Sequence, residues 1–79
     1  MKLSSAVSKK LIKICDERNI SVNKLATMSC LTQSTVQNLI EEKSKNPKLL
    51  TIIRLCDGLN IEINEFFNDK LFKDIDRED

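Results

Sequence analysis

The chain has no tryptophan, no tyrosine and no histidine, and its 79 residues include only one glycine, one proline and three phenylalanines. Few aromatics and few turn formers leave little material for a sheet. Leu, Lys, Glu and Ile dominate instead, so an all-α fold is expected. Without histidine the chain lacks the commonest metal ligand and general base. Its carboxylates are scattered and there is no nucleotide-binding loop, so neither an enzyme nor a bound cofactor is expected. The three cysteines, Cys15, Cys30 and Cys56, form no Cys-x-x-Cys pair. They read as reduced packing residues, with no metal site and no disulfide framework. No apolar run approaches the roughly 20 residues that span a bilayer, and no apolar leader core opens the chain, so no membrane partner is expected.

What is present is a charge division. Residues 1–56 hold ten basic and four acidic residues, and residues 57–79 hold three basic and eight acidic ones, although the net charge is only +1. A basic body with an acidic tail suits one face that meets phosphate and another end that stays away from it. A single core of this size is marginal, so a partner subunit would help.

Hydrophobic spacing predicts five helices. The first spans about 4–18, capped by Ser4 or Ser5, with Val7, Leu11, Ile14 and Cys15 inward. After Asn19-Ile20, Ser21 caps a short helix over 22–28 that turns Leu25 and Ala26 inward. A tight turn through Met28-Ser29-Cys30-Leu31 leads to Thr32, the cap of a helix over 33–41 with the apolar stripe Val36, Leu39 and Ile40. Residues 41–46 form a polar loop. Asn46-Pro47 reads as cap and first position of a helix over 47–59, with Leu49, Ile52, Ile53, Cys56 and Leu59 inward; Gly58 and Asn60 compete as its end, and Asn60 in the left-handed conformation is favoured. The last helix covers about 63–69, buries Ile63, Phe66 and Phe67, and is expected to continue through Leu71, Phe72 and Ile75. A frayed, charged end follows over 76–79. With no internal repeat and no low-complexity linker, residues 1–79 form a single domain, with an acidic tail at 68–79.

The segment 21–41 is a short helix, a turn and a second helix. Ala26 is small where these helices cross steeply, and bulk there would push them apart. On the outer face of the second helix, Gln33, Ser34, Gln37, Asn38 and Glu41 fall on one stripe. Four of the five are amides or hydroxyls, which suit hydrogen bonding to base edges, whereas a merely solvated stripe is usually rich in Lys and Glu.

Ser21, Leu25-Ala26, Leu31-Thr32-Gln33-Ser34-Thr35-Val36, Asn46-Pro47, Leu55, Leu59, Asn60-Ile61 and Ile63-Asn64-Glu65-Phe66-Phe67 occur in order. From about Val7 to Phe67 the sequence resembles the Cro and phage-repressor type of helix-turn-helix domain, the xenobiotic-response-element family. The resemblance implies a five-helix, lambda-repressor-like bundle that pairs as a homodimer on a double-stranded DNA operator and resides in the bacterial cytosol, on the nucleoid when bound. It implies a small transcriptional regulator, most readily a repressor. Its third helix would enter the major groove, with Gln33, Ser34 and Asn38 on base-reading positions and Gln37 beside them. Lys43, Lys45 and Lys48 around the following loop, Lys24, and the helix starts at Ser21 and Thr32 are the candidate phosphate contacts. Phe67, Leu71, Phe72 and Ile75 are the candidate dimer interface, since apolar residues in excess on a small domain commonly mark one; folding back on helix one as a lid is the other reading.

The pattern departs from the family at several places. Val22 stands where a phosphate-touching Gln is usual, Glu41-Glu42 where Asn or Gly is frequent, Cys30 at a turn position that often holds Gly, and Glu62 at a Ser/Thr cap. The family's Arg–Glu pair between helices one and three is replaced by Cys15 and Ile40, expected to meet in a dry contact; exchanging both partners for apolar groups can be neutral, whereas losing one costs about 3–5 kcal/mol. A protein-interaction or antitoxin-like module that retains the fold is the alternative reading, and no small-molecule ligand is evident.

Overall fold

Among the described residues five α-helices follow one another: α1 Leu3–Arg18, α2 Val22–Met28, α3 Gln33–Ile40, α4 Leu49–Leu59 and α5 Ile63–Phe67, with a 3₁₀ turn at Lys70–Phe72. The structure, a computed structural model, describes residues 1–77. Glu78 and Asp79, the end of the expected acidic tail, lie outside the described residues. α2 packs on α3 and α4, α1 on α3 and the 3₁₀ turn, and α4 on α5. No strand occurs among the described residues. The core gathers Val7, Leu11, Ile14 and Cys15 of α1, Leu25 and Ala26 of α2, Val36 and Leu39 of α3, Ile52, Leu55, Cys56 and Leu59 of α4, and Phe66 of α5.

Four helices stop in the same way. Among the described residues Asn19, Cys30, Glu42 and Asn60 are the non-glycine residues with positive φ, at 54°, 57°, 60° and 57°. The amide after each one bonds a carbonyl five residues back: Ile20 to Cys15, Leu31 to Ala26, Lys43 to Asn38 and Ile61 to Cys56. This is the left-handed stop that satisfies a helix's last carbonyls. In three of the four the following residue is apolar, and Ile20, Leu31 and Ile61 pack against the core. These contacts turn each stop into a fixed corner, which explains how four helices with few glycines fold into tight turns.

Boundaries and burial differ from the spacing in several places. Ser4 and Ser5 do not cap α1: they lie inside it, and the N-cap is Lys2, without a side-chain bond. Asn46 does not cap α4, which begins at Leu49 with Lys48 as an extended N-cap. Pro47 disfavours helical geometry in the residue before it, and the first two residues of α4 are not held by the core: Leu49 is 59 % and Leu50 57 % exposed. Ile53, expected inward, is also exposed, while Leu55 takes the core position. Ile40 is half-buried rather than dry, although Cys15 is buried.

The last difference is at the C-terminal end. α5 stops at Phe67, and Ile63 is exposed. Glu62, at the unusual cap, forms a reciprocal capping box with Glu65, so this departure from the family pattern is compensated locally. Beyond Asn68 the chain turns back over α1. Asp69 accepts Leu71 N–H on one oxygen, and on the other Lys10 Nζ at 3.0 Å and Lys13 Nζ at 3.2 Å. Phe66, Phe67 and Phe72 cluster with ring centroids 4.9–5.7 Å apart. Phe67, Leu71, Phe72 and Ile75 are all half-buried, and Phe67 and Phe72 pack against the monomer's own core. Asp76 and Asp74 bracket Met1: the Met1 ammonium donates to the Asp74 carbonyl at 3.0 Å, and Asp76 N–H donates to the Met1 carbonyl at 2.9 Å. The described part of the tail therefore lies against the basic body rather than apart from it.

Candidate nucleic-acid interface

The helix-turn-helix is seated by its inner residues. Leu25 and Val36 are fully buried, Ala26 is 2 % exposed at the α2–α3 crossing, and Gly58 lets α4 come up against the end of α2. A Cβ at Gly58 would lie 2.5 Å from Ser29 Oγ and 2.7 Å from the Met28 carbonyl oxygen, so backbone contact itself requires glycine here. Both caps read from the sequence are made. Ser21 Oγ accepts Lys24 N–H at 3.0 Å, and Thr32 Oγ1 accepts Thr35 N–H at 3.2 Å. Thr32 Oγ1 also lies 2.8 Å from Thr35 Oγ1 and 3.3 Å from Ser34 Oγ.

With Val36 and Leu39 turned inward, helical periodicity leaves Gln33, Ser34, Gln37 and Asn38 on the opposite side of α3. Gln33, Ser34 and Asn38 are exposed and Gln37 is half-buried. Lys24, Lys43, Lys45 and Lys48 are exposed, as are Ser21 and Thr32. Among the described residues Lys24, Lys45 and Lys48 carry no ion pair, whereas Lys43 Nζ bonds Glu41 Oε1 at 3.0 Å. Lys10 and Lys13, part of the basic excess in the sequence, direct their charge to Asp69.

The carboxylates of Glu41 and Glu42 face different groups. Glu42 occupies the left-handed stop after α3 and accepts a hydrogen bond from Ser5 Oγ of α1. Beside it, Ser8 Oγ donates to the Ile40 carbonyl at 2.6 Å. Together these bonds fasten the end of α3 to the first half of α1. The sequence did carry a signal for this anchor: Ser4, Ser5 and Ser8 sit within a helix, where serine is a poor former unless its hydroxyl finds a partner. Ser4 and Ser8 are buried, which marks a close crossing. Glu41 instead turns to the polar face, where its Oε2 accepts Gln37 Nε2 at 3.0 Å.

Among the described residues no helix is long and apolar enough to cross a membrane. The model of the Cro/C1-type HTH DNA-binding domain matches residues 10–70. A solved structure, the crystal structure of the prophage Lp1 protein 11, superposes with a TM-score of 0.80 at 33 % sequence identity, covering 95 % of this chain and 100 % of that one. No curated protein sequence matches. The matched segment runs from the middle of α1 to the start of the 3₁₀ turn and contains all of α2, α3, α4 and α5, so the chain belongs to the Cro/C1-type helix-turn-helix DNA-binding family.

Proposed function

We propose that this protein is a small transcriptional regulator, acting as a repressor, that reads an operator by inserting α3 into the major groove of duplex DNA. The observation that carries the reading is the outer face of α3, where exposed Gln33, Ser34 and Asn38 stand beside half-buried Gln37 on the second helix of the motif. Amides and hydroxyls at these positions match the donors and acceptors of base edges. Lys24, Lys45 and Lys48 supply charge to the flanking phosphates, and Ser21 and Thr32 are placed at helix starts where the backbone approaches. Val22 offers no phosphate contact, so the lysines carry more of the electrostatic binding. The prophage description of the structural neighbour fits a phage-type regulator, at work in the bacterial cytosol.

A single recognition helix reads too few base pairs for a useful specificity ratio in a genome. Two-fold pairing on half-sites about one helical turn apart supplies the rest. We therefore include a homodimer on DNA in the proposal. Its support is that specificity requirement, because Phe67 and Phe72 pack against the monomer's own core. A protein-interaction module remains the competing reading; the internal bonds of Glu41 and Glu42 weaken the case that these acids serve a protein partner.

Selection of bound sequences from a random duplex library tests the proposal. A palindromic consensus is expected, with binding that falls steeply with salt. Gln33→Ala and Asn38→Ala should each cost about 1–3 kcal/mol on the selected site and erase preference at distinct base pairs. Unchanged preference in both variants would remove α3 from the reading role, and an absence of salt-sensitive duplex binding would favour the protein-interaction module.

A further inference from the structure

Glu41 sits where elementary electrostatics disfavours a carboxylate. It is the C-cap of α3, at the negative end of the helix dipole, on the face that meets phosphate in the reading above. Both its oxygens are nevertheless engaged by side chains of that face. Oε1 accepts Lys43 Nζ at 3.0 Å and Oε2 accepts Gln37 Nε2 at 3.0 Å. The hydrogen bonds from Lys43 and then Gln37 hold its carboxyl below the ordinary value, so it is charged at neutral pH.

The chemistry of these two bonds fixes what each partner can offer DNA. An ionised carboxylate only accepts hydrogen bonds, so the Gln37 group facing it must be the NH₂. That resolves an amide which could otherwise point either way and turns its Oε1 from Glu41. The helix stop supplies a second, independent sign. In the other three left-handed stops the residue after the positive-φ position is Ile20, Leu31 or Ile61, packed on the core. After α3 this place is taken by exposed Lys43, held to Glu41 rather than to apolar surface. A local rule broken at the proposed contact face points to function.

We propose that Glu41 is a positioning residue for DNA recognition: it presents Gln37 to the base edges as a hydrogen-bond acceptor and withholds Lys43 from the phosphates. The proposal rests on the DNA-reading role of α3. Its consequence is weaker binding to every sequence together with a sharper preference at one base pair. An acceptor in the major groove pairs with adenine N6 or cytosine N4 and disfavours the acceptor edges of guanine and thymine.

The test uses the full chain in two measurements: selection from a randomised duplex library, and salt-titrated binding to an unrelated duplex. Wild type, Glu41→Gln, Gln37→Ala, Lys43→Ala and the double variant Glu41→Gln/Lys43→Ala are compared, with thermal melts as the folding control. Glu41→Gln keeps the shape but loses the charge, and its amide can both donate and accept, which frees Gln37 to turn. The base-pair preference that Gln37→Ala erases should be erased by Glu41→Gln as well. Binding of Glu41→Gln to the unrelated duplex should tighten about three- to sixfold, with a salt slope steeper by about one. Lys43→Ala should leave the wild-type slope unchanged and cancel the gain in the double variant. If either the preference or the slope of folded Glu41→Gln stays at its wild-type value, the inference is overturned. A slope lowered by about one in Lys43→Ala alone overturns it too, and this arm does not depend on Glu41→Gln folding. If wild type binds no duplex, the reading of α3 itself fails and takes this inference with it. If wild type selects an operator and Glu41→Gln selects the same one, only this inference falls.

Discussion

The helix-turn-helix and the C-terminal return are both made of short helices, α2 and α3 in one and α5 with a 3₁₀ turn in the other. Neither α2 nor α5 is long enough to be stable alone in water. The motif nevertheless follows its local signals closely: the caps Ser21 and Thr32 are made, Cys30 takes the left-handed turn, and Leu25, Ala26 and Val36 are buried. The return does not follow its apolar spacing. Leu71, Phe72 and Ile75 continue a helical pattern, yet the helix ends at Phe67 and the chain doubles back. The difference lies in where the decisive partners sit. In the motif they are within a few residues along the chain. In the return they are Lys10, Lys13 and Met1, more than fifty residues away. Short helices are legible when capped locally and illegible when distant partners compete with helix propagation.

This comparison can be broken first at Phe66, the fully buried ring that ties the return to the core. Phe66→Ala should cost about 3–5 kcal/mol, a large share of the stability of a domain this size. A denaturant midpoint close to wild type would mean that the return is an appendage and not part of one cooperative unit. On the motif side, Gly58→Ala should cost about 1–3 kcal/mol, because its Cβ would press on the backbone of Met28 and on Ser29. A cost near zero would show that α4 can shift without disturbing the motif.

Cys30→Gly sharpens the motif side in the opposite direction. The cysteine holds φ at 57°, and relief of left-handed strain should raise stability by up to about 1 kcal/mol once glycine's unfolded-state entropy is subtracted. A lower melting temperature would show that the exposed thiol makes a contact worth more than the strain. The smallest effect is expected at Asp69, whose carboxyl is held well below the usual carboxylate range by the Leu71 amide, then by Lys10 and Lys13. A carboxyl depressed by folding stabilises the fold above its unfolded value near 4 and loses that contribution as pH falls below it. Asp69→Asn should therefore lower the melting temperature by roughly a few degrees at pH 7, with the gap closing as pH falls below about 4. A gap that stays constant into strong acid would assign the effect to the turn's capping bond and not to the ion pairs.

Helix number, the inward faces of α1 and α2, the caps of α2 and α3, and the stop at Asn60 were legible in the sequence, because each is set by spacing or by a side chain acting on its own neighbours. So was the polar face of α3, through the contrast of its amides with Val36 and Leu39. The charge division was legible too, but its meaning was not. Composition shows that a basic body precedes an acidic tail; it cannot show that Asp69 lies on Lys10 and Lys13.

What the sequence by itself determined was an all-helical chain with one helix-turn-helix and a row of amides and hydroxyls on its second helix. These follow from periodicity, capping and residue chemistry, all of which act over a few residues. The tertiary structure alone decided that α4 starts at Leu49, that the apolar end closes the monomer's own core, that Ser5 and Ser8 of α1 fasten the end of α3, and that Glu41 holds Gln37 and Lys43. Most of these contacts join groups brought together only by folding. Even the local Glu41 triad depends on a helix stop whose geometry is held from α1. Hydrogen bonds and ion pairs need their partners within about 3–4 Å, and spacing along a chain does not by itself set such distances.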